Sequence, residues 1–327
     1  MLVVTGGGGF IGSVLCAALN EAGRADLVIA DRFGSDGKWR NIAKRDFHEI
    51  VPFEGLFGWL DRHGGEVEAV FHLGAISATT ANDADEIIAN NLNYSIALWR
   101  WCTAHARPLI YASSAATYGD GAAGFDDAGG IDAFKRLRPL NLYGWSKHAF
   151  DLWAMRAAAA GHAPPSWVGL KFFNVFGPNE HHKGEMMSLV VKNYPDIAAG
   201  RTIRLFKSHR PDYADGEQRR DFVYVKDCAA AMLWLWHQAR TSGVYNFGTG
   251  AARSFLDLMN AVGAACGVRP TIEFVDIPAA IRPSYQYFTE AKMNRLRDAG
   301  YTAPFTPLET AVHDCVTQYL AQPDPYL

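Results

Sequence analysis

Short apolar runs alternate with longer stretches of helical spacing through the first half of the chain. Buried strands are predicted at residues 2–5, 27–31, 69–73, 109–113 and 167–173. Helices are predicted over residues 11–22, 83–106 and 143–160. Alternation of this kind is typical of a parallel sheet with crossover helices on both faces. The pattern therefore predicts an α/β fold with a doubly wound parallel sheet.

The pattern changes after Asn174, where the loops lengthen. A helix is predicted over residues 225–239 and a turn over 243–250, while Ser254 and Thr306 are expected to cap two further helices. This change predicts a smaller C-terminal α/β domain that binds a substrate. Residues 1–172 and about 222–250 are assigned to the nucleotide-binding domain. Residues 173–221 and 251–327 are assigned mainly to the substrate-binding domain, with segments able to cross between the two.

Composition and charge are those of an ordinary folded protein. Hydrophobic residues make up 49% and charged residues 20% of the 327 positions, which excludes global disorder. The formal net charge of -3 argues against nucleic-acid binding, which needs a basic surface. No apolar run approaches the roughly 20 residues of a membrane span. We therefore expect neither a nucleic acid nor a membrane as a partner.

The cysteines and the start of the chain indicate where the protein works. The five cysteines lie far apart, and their odd number argues against a disulfide framework. The sequence opens directly on a strand pattern, which leaves no room for a signal peptide. These features predict a reduced, cytoplasmic protein, and no metal site is expected.

A glycine-rich loop between the first strand and the first helix indicates a dinucleotide site. Gly6, Gly9 and Gly12 have the spacing that permits a tight turn, close approach of backbone to a pyrophosphate, and close packing of helix on strand. The helix N-terminus, with Phe10 and Ile11, would face the phosphates. The loop therefore predicts a Rossmann-type fold that binds a nicotinamide dinucleotide.

The end of the second strand bears on the choice of cofactor. Asp31 is placed to bind the adenosine ribose hydroxyls of NAD. Arg32 and Lys38 follow closely, and such cations could hold the 2′-phosphate of NADP instead. The sequence favours NADP by a modest margin and leaves NAD open, with solvated loop cations as the alternative.

A serine, a tyrosine and a lysine suggest the chemistry. Tyr143 and Lys147 are four residues apart, so they share one face of a helix. The lysine ammonium and a positive nicotinamide would lower the pKa of the phenol, which is about 10 in a free tyrosine. Ser114, just past the fourth strand, could bond the substrate hydroxyl that Tyr143 deprotonates.

At these residues the chain resembles the extended short-chain dehydrogenase/reductase family. The resemblance implies catalytic roles for Ser114, Tyr143 and Lys147, the last two also touching the cofactor. It further implies cofactor contacts from Asn90, from Val175 and from a second cofactor loop at Gly74, Ala75, Ile76 and Ser77. Dehydratases of this family need an Asp/Glu pair where this chain has Ala115 and Ala116. Epimerisation or reduction is therefore expected rather than elimination.

Within the family, the closer resemblance is to epimerases of nucleotide-activated heptoses. It rests on residues 112–119, 173–178, 182–184, 220–225 and 285–289. It implies an ADP-heptose substrate, a role in lipopolysaccharide core synthesis and a homo-oligomer, in the family a homopentamer. Lys183 would be a second catalytic base. The implied substrate contacts are Ser114, Asn174, Glu185, Lys192, Phe206, Ser208, Arg220 and Tyr285.

Several positions depart from the heptose pattern. Glu185 replaces a serine, Phe53 replaces a cofactor-contacting lysine, and Leu73 replaces a glutamate. Residues 207–218 carry a changed motif and an insertion. These departures leave two alternatives open: another nucleotide-sugar epimerase or reductase, and a non-catalytic protein that senses NAD(P).

Overall fold

The computed structural model describes residues 1–238, 241–279, 282 and 285–327. The strands are β1 (Leu2–Thr5), β2 (Leu27–Asp31), β3 (Glu49–Pro52), β4 (Ala69–His72), β5 (Leu109–Ser114), β6 (Trp167–Phe172), β7 (Asn174–Phe176), β8 (Ile203–Phe206), β9 (Arg219–Arg220), β10 (Phe222–Tyr224), β11 (Gly243–Phe247), β12 (Arg253–Ser254) and β13 (Ile272–Val275). The helices are α1 (Phe10–Glu21), α2 (Leu56–His63), α3 (Ala84–Ile87), α4 (Tyr94–Ala104), α5 (Gly130–Phe134), α6 (Leu142–Ala159), α7 (Leu189–Ala198), α8 (Val225–His237), α9 (Phe255–Cys266), α10 (Asn294–Asp298) and α11 (Leu308–Cys315).

A parallel sheet of seven strands forms the centre of the fold, in the order β3-β2-β1-β4-β5-β6-β11. The register places Val4 of β1 between Ile29 of β2 and Phe71 of β4, and all three side chains are fully buried. Helix α1 packs against α8, and α4 packs against α6. The predicted α/β class and doubly wound Rossmann-type sheet are confirmed. The carboxyl ends of these strands share one edge, where ligands of such folds bind.

The hydrophobic pattern of the sequence did not predict two strands of this sheet. The edge strand β3 buries only Val51, so it shows no apolar run. The turn predicted over residues 243–250 is wrong, because residues 243–247 form β11 beside β6. Asn246 interrupts the apolar run in β11, yet it is buried because its side chain bonds Tyr118 and two backbone carbonyls. The polar residue within β11 therefore made this buried strand look like a turn in the sequence.

Most predicted helices are confirmed to within a residue or two. The helix predicted over 83–106 is divided into α3 and α4 by a π-helical segment, Ile88–Asn93. Helix α8 ends at His237, and the predicted end at Ala239 lies outside the described residues. Ser254 caps α9 in a capping box with Asp257.

Thr306 does not cap the last helix, contrary to prediction. Pro307 holds the cap position of α11, and a π-helical segment, Val316–Leu320, continues that helix. The Thr306 hydroxyl and amide instead donate to the Asp227 carboxylate of α8, at 2.7 and 2.8 Å. The threonine therefore joins two helices rather than starting one.

The later part of the chain builds small two-stranded sheets and a second hydrophobic cluster. Strand β7 pairs with β10 and β8 with β13, both parallel, while β9 pairs antiparallel with β12. The second cluster includes Phe10 and Val14 of α1 together with residues of α7, α9 and α11. Because α1 contributes residues to this cluster, the cluster adjoins the core around the large sheet. The division into two domains stays a prediction.

Cysteine burial agrees with the sequence. Cys16, Cys102, Cys228 and Cys315 are buried and Cys266 is half-buried, all as free thiols. Among the described helices, none has the length and apolar character needed to span a bilayer.

Candidate active site

A cavity of about 620 Å³ opens at the carboxyl edge of the large sheet. Sequence-predicted site residues that line it are Gly6, Gly9, Phe10, Ile11, Gly12, Asp31, Arg32, Lys38, Gly74, Ala75, Ile76, Ser77, Asn90, Ser114, Tyr143, Lys147, Asn174, Val175 and Lys183. All predicted cofactor and catalytic residues therefore meet around one space. An apolar wall that the sequence did not predict completes it, including Met186, Met187, Leu189 and Leu258.

The phosphate loop is closed so tightly that side chains are excluded from it. A Cβ atom on Gly12 would overlap the Gly6 carbonyl oxygen, and one on Gly6 would overlap the backbone of Gly74. Gly6 also has a φ of +68°, which a residue with a side chain rarely adopts. Helix α1 begins at Phe10 without a side-chain cap, and its first residues line the cavity. The N–H groups of its first turn are therefore available to a ligand there. This geometry suits a pyrophosphate.

Asp31 is fixed at the end of β2 by three donors. The Gly8 amide donates to its Oδ2 at 2.8 Å, and the Arg32 amide and the Lys38 ammonium donate to its Oδ1 at 2.7 and 2.6 Å. The Arg32 guanidinium lies 4.6 Å over the Phe53 ring. It also donates to Asn90 at 2.9 Å and pairs with Glu54. Both predicted cations thus lie beside Asp31, already held by acidic partners.

Asn91 anchors the second cofactor loop, a role that sequence reasoning missed. Its Oδ1 accepts from the Ile76 amide at 2.8 Å, and its Nδ2 donates to the Ile76 carbonyl at 2.9 Å. The same Nδ2 also donates to the Ser146 hydroxyl of α6 at 3.1 Å. Asn91 therefore ties the loop to the helix that carries Tyr143. Its position next to Asn90 was the only sequence signal.

Ser114, Tyr143 and Lys147 come together at the junction of β5 and α6. Lys147 donates to the Ala112 carbonyl at 2.8 Å, and burial lowers the pKa of its amine to about 8. Burial raises the pKa of the Tyr143 phenol, while a hydrogen bond with Ser114 opposes this. The expected lowering of the Tyr143 pKa is not found in the protein alone, because burial outweighs the favourable contacts.

Lys183 is held in place by a buried carboxylate that sequence reasoning also missed. Its ammonium donates to Glu180 Oε2 at 2.8 Å and lies 4.6 Å over the Phe10 ring. Glu180 is fully buried and also accepts from the amides of Gly177 and Ser188, at 3.1 and 2.9 Å. Lys183 thus reaches the cavity from a fixed loop. The i,i+3 spacing of Glu180 and Lys183 was the available signal.

Six of the eight predicted substrate residues do not line the cavity, and two of these six, Glu185 and Lys192, pair with each other. Glu185 has an almost fully exposed side chain, and it accepts from Lys192 at 2.8 Å. Neither residue lines the cavity. Glu185 and Lys192 therefore contact each other, and neither lies in the cavity with Tyr143.

Phe206, Arg220 and Tyr285 form a separate group beside the cavity, and Ser208 lies in a loop of its own. The Arg220 guanidinium lies 5.4 Å from the Tyr285 ring centroid, and Tyr285 packs edge to face on Phe206. Arg220 also lies over Phe255, which lines the cavity. However, Arg220 donates to the carbonyls of Arg219 and Gln286. Ser208 bonds Arg210 and Asp215 within its own loop.

The lining residues fit a nicotinamide dinucleotide. Glycines at positions 6 and 12 leave the space that a pyrophosphate needs, and the N-terminus of α1 supplies donors and a positive dipole end. Asp31 lies where the ribose of such a cofactor is bound in this fold. A bound nicotinamide supplies an acceptor and donor of hydride.

Comparison with known proteins agrees with this geometry. The model of the NAD dependent epimerase/dehydratase family matches residues 2–248. ADP-L-glycero-D-manno-heptose-6-epimerase of Nitratidesulfovibrio vulgaris strain DP4 is 48% identical over 330 residues, covering 100% of both chains. The structure of ADP-L-glycero-D-manno-heptose-6-epimerase of Helicobacter pylori has a TM-score of 0.79 at 27% identity, over 97% of this chain and 95% of that chain. MoeE5 in complex with UDP-glucose and NAD has a TM-score of 0.76 at 25% identity, over 96% and 97%.

The chain belongs to the NAD dependent epimerase/dehydratase family, since the family model covers most of its length. The resemblance drawn from the glycine loop and from Tyr143 and Lys147 is thereby confirmed. Members of this family are enzymes that work with a nicotinamide cofactor.

Proposed function

We propose that this enzyme converts ADP-D-glycero-D-manno-heptose into ADP-L-glycero-D-manno-heptose by inverting C6″. The observation that carries the proposal is the meeting of two acid/base groups, Tyr143 and Lys183, in one cavity with the dinucleotide loop. The full-length identity of 48% to a protein named for this reaction supports the choice of substrate. The product would supply heptose for lipopolysaccharide core synthesis.

The chemistry explains why two such groups are needed. The C6″ hydrogen of a heptose is not acidic, so a base alone cannot remove it. Inversion through a 6″-ketone requires a proton to leave the hydroxyl of one epimer and a proton to reach the oxygen of the other. The two hydroxyls point in different directions, and one fixed group cannot serve both equally. Tyr143 on α6 and Lys183 on the Glu180 loop approach the cavity from separate elements.

The other catalytic side chains have supporting roles. Ser114 would bond the substrate hydroxyl, and it lowers the pKa of the Tyr143 phenol against the larger effect of burial. Lys147 lies one turn beyond Tyr143 and, as an ammonium, favours the phenolate that acts as a base. Such proton transfer typically contributes about 10²–10⁴-fold to a rate.

Elimination is disfavoured by the charges around the cavity. Among the described residues that line it, Asp31 is the only carboxylate, and it lies at the adenosine end. Ala115 and Ala116 follow Ser114 where a dehydratase would carry its acid pair. An epimerase that oxidises and re-reduces one carbon needs no such pair.

The departures from the heptose pattern mostly lie away from the reacting groups. Glu185 does not line the cavity. Four residues of the insertion border a separate open depression together with Arg219 and Phe288: Asp212, Tyr213, Ala214 and Glu217. Phe53 and Leu73 do line the cavity. Phe53 supports the Arg32 guanidinium there, which offsets the loss of the family lysine.

We further propose NADP as the preferred cofactor. Arg32 and Lys38 both line the cavity beside Asp31, at the end that would receive the 2′-phosphate. A cytoplasmic location is supported by the free thiols. The predicted substrate contacts of Asn174, Phe206, Ser208, Arg220, Tyr285, Glu185 and Lys192 stay proposals, as does a homo-oligomer.

Replacing Tyr143 with Phe tests the proposed reaction directly. The wild type, incubated with ADP-D-glycero-D-manno-heptose and no added cofactor, should give the L-glycero epimer by NMR. Tyr143→Phe removes only a hydroxyl, so it should fold normally and lose activity by about 10²–10⁴-fold. Near-wild-type turnover in the variant would assign deprotonation to another group, and an inactive wild type would refute the substrate.

Lys183→Met tests the second acid/base group. It keeps much of the side-chain length but removes the proton, so epimerisation should fall by about 10²-fold or more while the Kd for NADP stays nearly unchanged. Lys135→Met is the matched control, because Lys135 forms an exposed i,i+3 pair with Asp132 and does not line the cavity. Melting temperatures show whether the loss of the ion pair with Glu180 destabilises the Lys183→Met variant. Epimerisation of Lys183→Met at the Lys135→Met rate would exclude a catalytic role.

Replacing both Arg32 and Lys38 with Ala tests the choice of cofactor. Only NADP carries the 2′-phosphate that these cations would bind, so the Kd for NADP should rise more than that for NAD. Calorimetric titration of the cofactor-free enzyme measures both constants. Lys44→Ala serves as control, because Lys44 pairs with Asp324 away from the cavity. Equal losses for the two cofactors would show that the cations do not select NADP.

A further inference from the structure

A buried ion pair joins helix α6, which carries Tyr143 and Lys147, to strand β6. The Lys171 ammonium of β6 and the Asp151 carboxylate of α6 are 2.7 Å apart, and both side chains are 0% exposed. The Ser113 hydroxyl donates to Asp151 Oδ2 at 2.7 Å, and the Tyr111 hydroxyl donates to Oδ1 at 3.0 Å. Lys171 also donates to the Thr117 hydroxyl at 2.6 Å. The carboxylate therefore has one cation and two neutral donors, and it cannot turn away.

Lys147 lacks a partner of opposite charge in direct contact. Lys147 is only 4% exposed, and its ammonium donates to the neutral carbonyl of Ala112. Among the ion pairs of the described residues, none includes Lys147. An ammonium removed from water in this way needs a nearby negative charge to remain protonated. Asp151 follows Lys147 by four residues on α6, so the two side chains share one face of that helix.

We propose that Asp151, held in place by Lys171, Ser113 and Tyr111, is a positioning residue that keeps the buried Lys147 amine protonated beside Tyr143. This inference rests on the roles proposed above for Tyr143 and Lys147. Burial lowers the pKa of Lys147 to about 8, and the charge of Asp151 acts in the opposite direction. Without that charge the pKa of Lys147 would be lower, so less of the ammonium that favours the phenolate would be present near neutral pH. The same charge raises the pKa of Tyr143, so the benefit of Asp151 acts through Lys147 alone.

Other titratable groups near this network do not supply the negative charge. His72 of β4 is enclosed between Thr5 and Ser95, and burial together with Lys147 lowers its pKa to about 3. Burial also lowers the pKa of His148 of α6, and the charge of Lys171 adds to this. Both histidines are therefore neutral near pH 7.

The remaining neighbours are phenols and one more carboxylate. Burial raises the pKa of Tyr111 and Tyr118, so both stay neutral. Asp127 accepts from the Asn246 amide at 2.8 Å and lies 3.8 Å from Arg295. Its charge acts on Lys171 and Tyr118 rather than on Lys147. Asp151 is thus the anion that acts on Lys147.

Titration of the Lys147 amine tests the proposal without any substrate. Protein labelled with ¹³C at lysine Cε is followed by NMR between pH 6 and 10 with NADP present, and Lys147→Arg assigns the signal. Asp151→Asn removes the carboxylate charge, and Asp151→Asn combined with Lys171→Met removes both charges. Tyr111→Phe is the matched control, since it deletes a buried hydrogen bond to Asp151 without changing any charge. Thermal unfolding establishes which variants are folded.

We expect the midpoint of the Lys147 titration to fall by about one pH unit in Asp151→Asn. If that single variant does not fold because Lys171 is left unpaired, the double variant is compared with Lys171→Met, which also lacks the ammonium. The midpoint of the double variant should then lie below that of Lys171→Met. Tyr111→Phe should titrate like the wild type. A midpoint that is unchanged in the folded charge variants, or that falls equally in Tyr111→Phe, would overturn the proposal.

Turnover assays distinguish this inference from the proposed function. If the midpoints move as expected but the wild type does not epimerise ADP-heptose, the role of Asp151 stands and the substrate assignment falls. If the wild type epimerises but the midpoints do not move, Asp151 has no such role.

Discussion

The site depends on one constraint: a phenol buried in a narrow cavity must lose a proton near neutral pH. Burial raises the pKa of Tyr143 and lowers that of Lys147, so the same loss of water weakens both members of the pair. Ser114 opposes the rise of the Tyr143 pKa, and the charge of Asp151, which is paired with Lys171, opposes the fall of the Lys147 pKa. Neither contact outweighs burial in the protein alone. The seven-stranded sheet fixes these groups because β5 and β6 are adjacent and α6 packs on them.

The second half of the site uses a different means of fixing a charge. Lys183 projects from a short 3₁₀ helix, His181–Met186, which is kinked at Gly184. The Glu180 carboxylate holds this segment by accepting hydrogen bonds from the Lys183 ammonium and from the amides of Gly177 and Ser188. The apolar residues Met186 and Met187 of the same region close the cavity. Of the two acid/base groups, Tyr143 thus belongs to helix α6, and Lys183 belongs to a short segment held by Glu180.

Local sequence was sufficient for the features that depend on local geometry. The strand, glycine loop and helix at Leu2–Glu21 follow from apolar runs and glycine spacing, and the pairing of Tyr143 with Lys147 follows from the pitch of a helix. The features that were missed depend on contacts between distant segments. The strand β11 contains Asn246, whose partners come from residues 118, 125 and 292. Likewise Asp151 is seen to matter only when β6 brings Lys171 to it.

The central claim is that C6″ is inverted by removing and returning its own hydrogen as hydride. The most direct measurement uses ADP-D-glycero-D-manno-heptose deuterated at C6″, with product analysis by mass spectrometry and NMR in ordinary water. The L-glycero product should keep its deuterium at C6″, because a hydrogen that moves between carbon atoms as hydride does not exchange with solvent protons. Loss of the deuterium to water during inversion would contradict the account, since it would mean that a base removes this hydrogen as a proton.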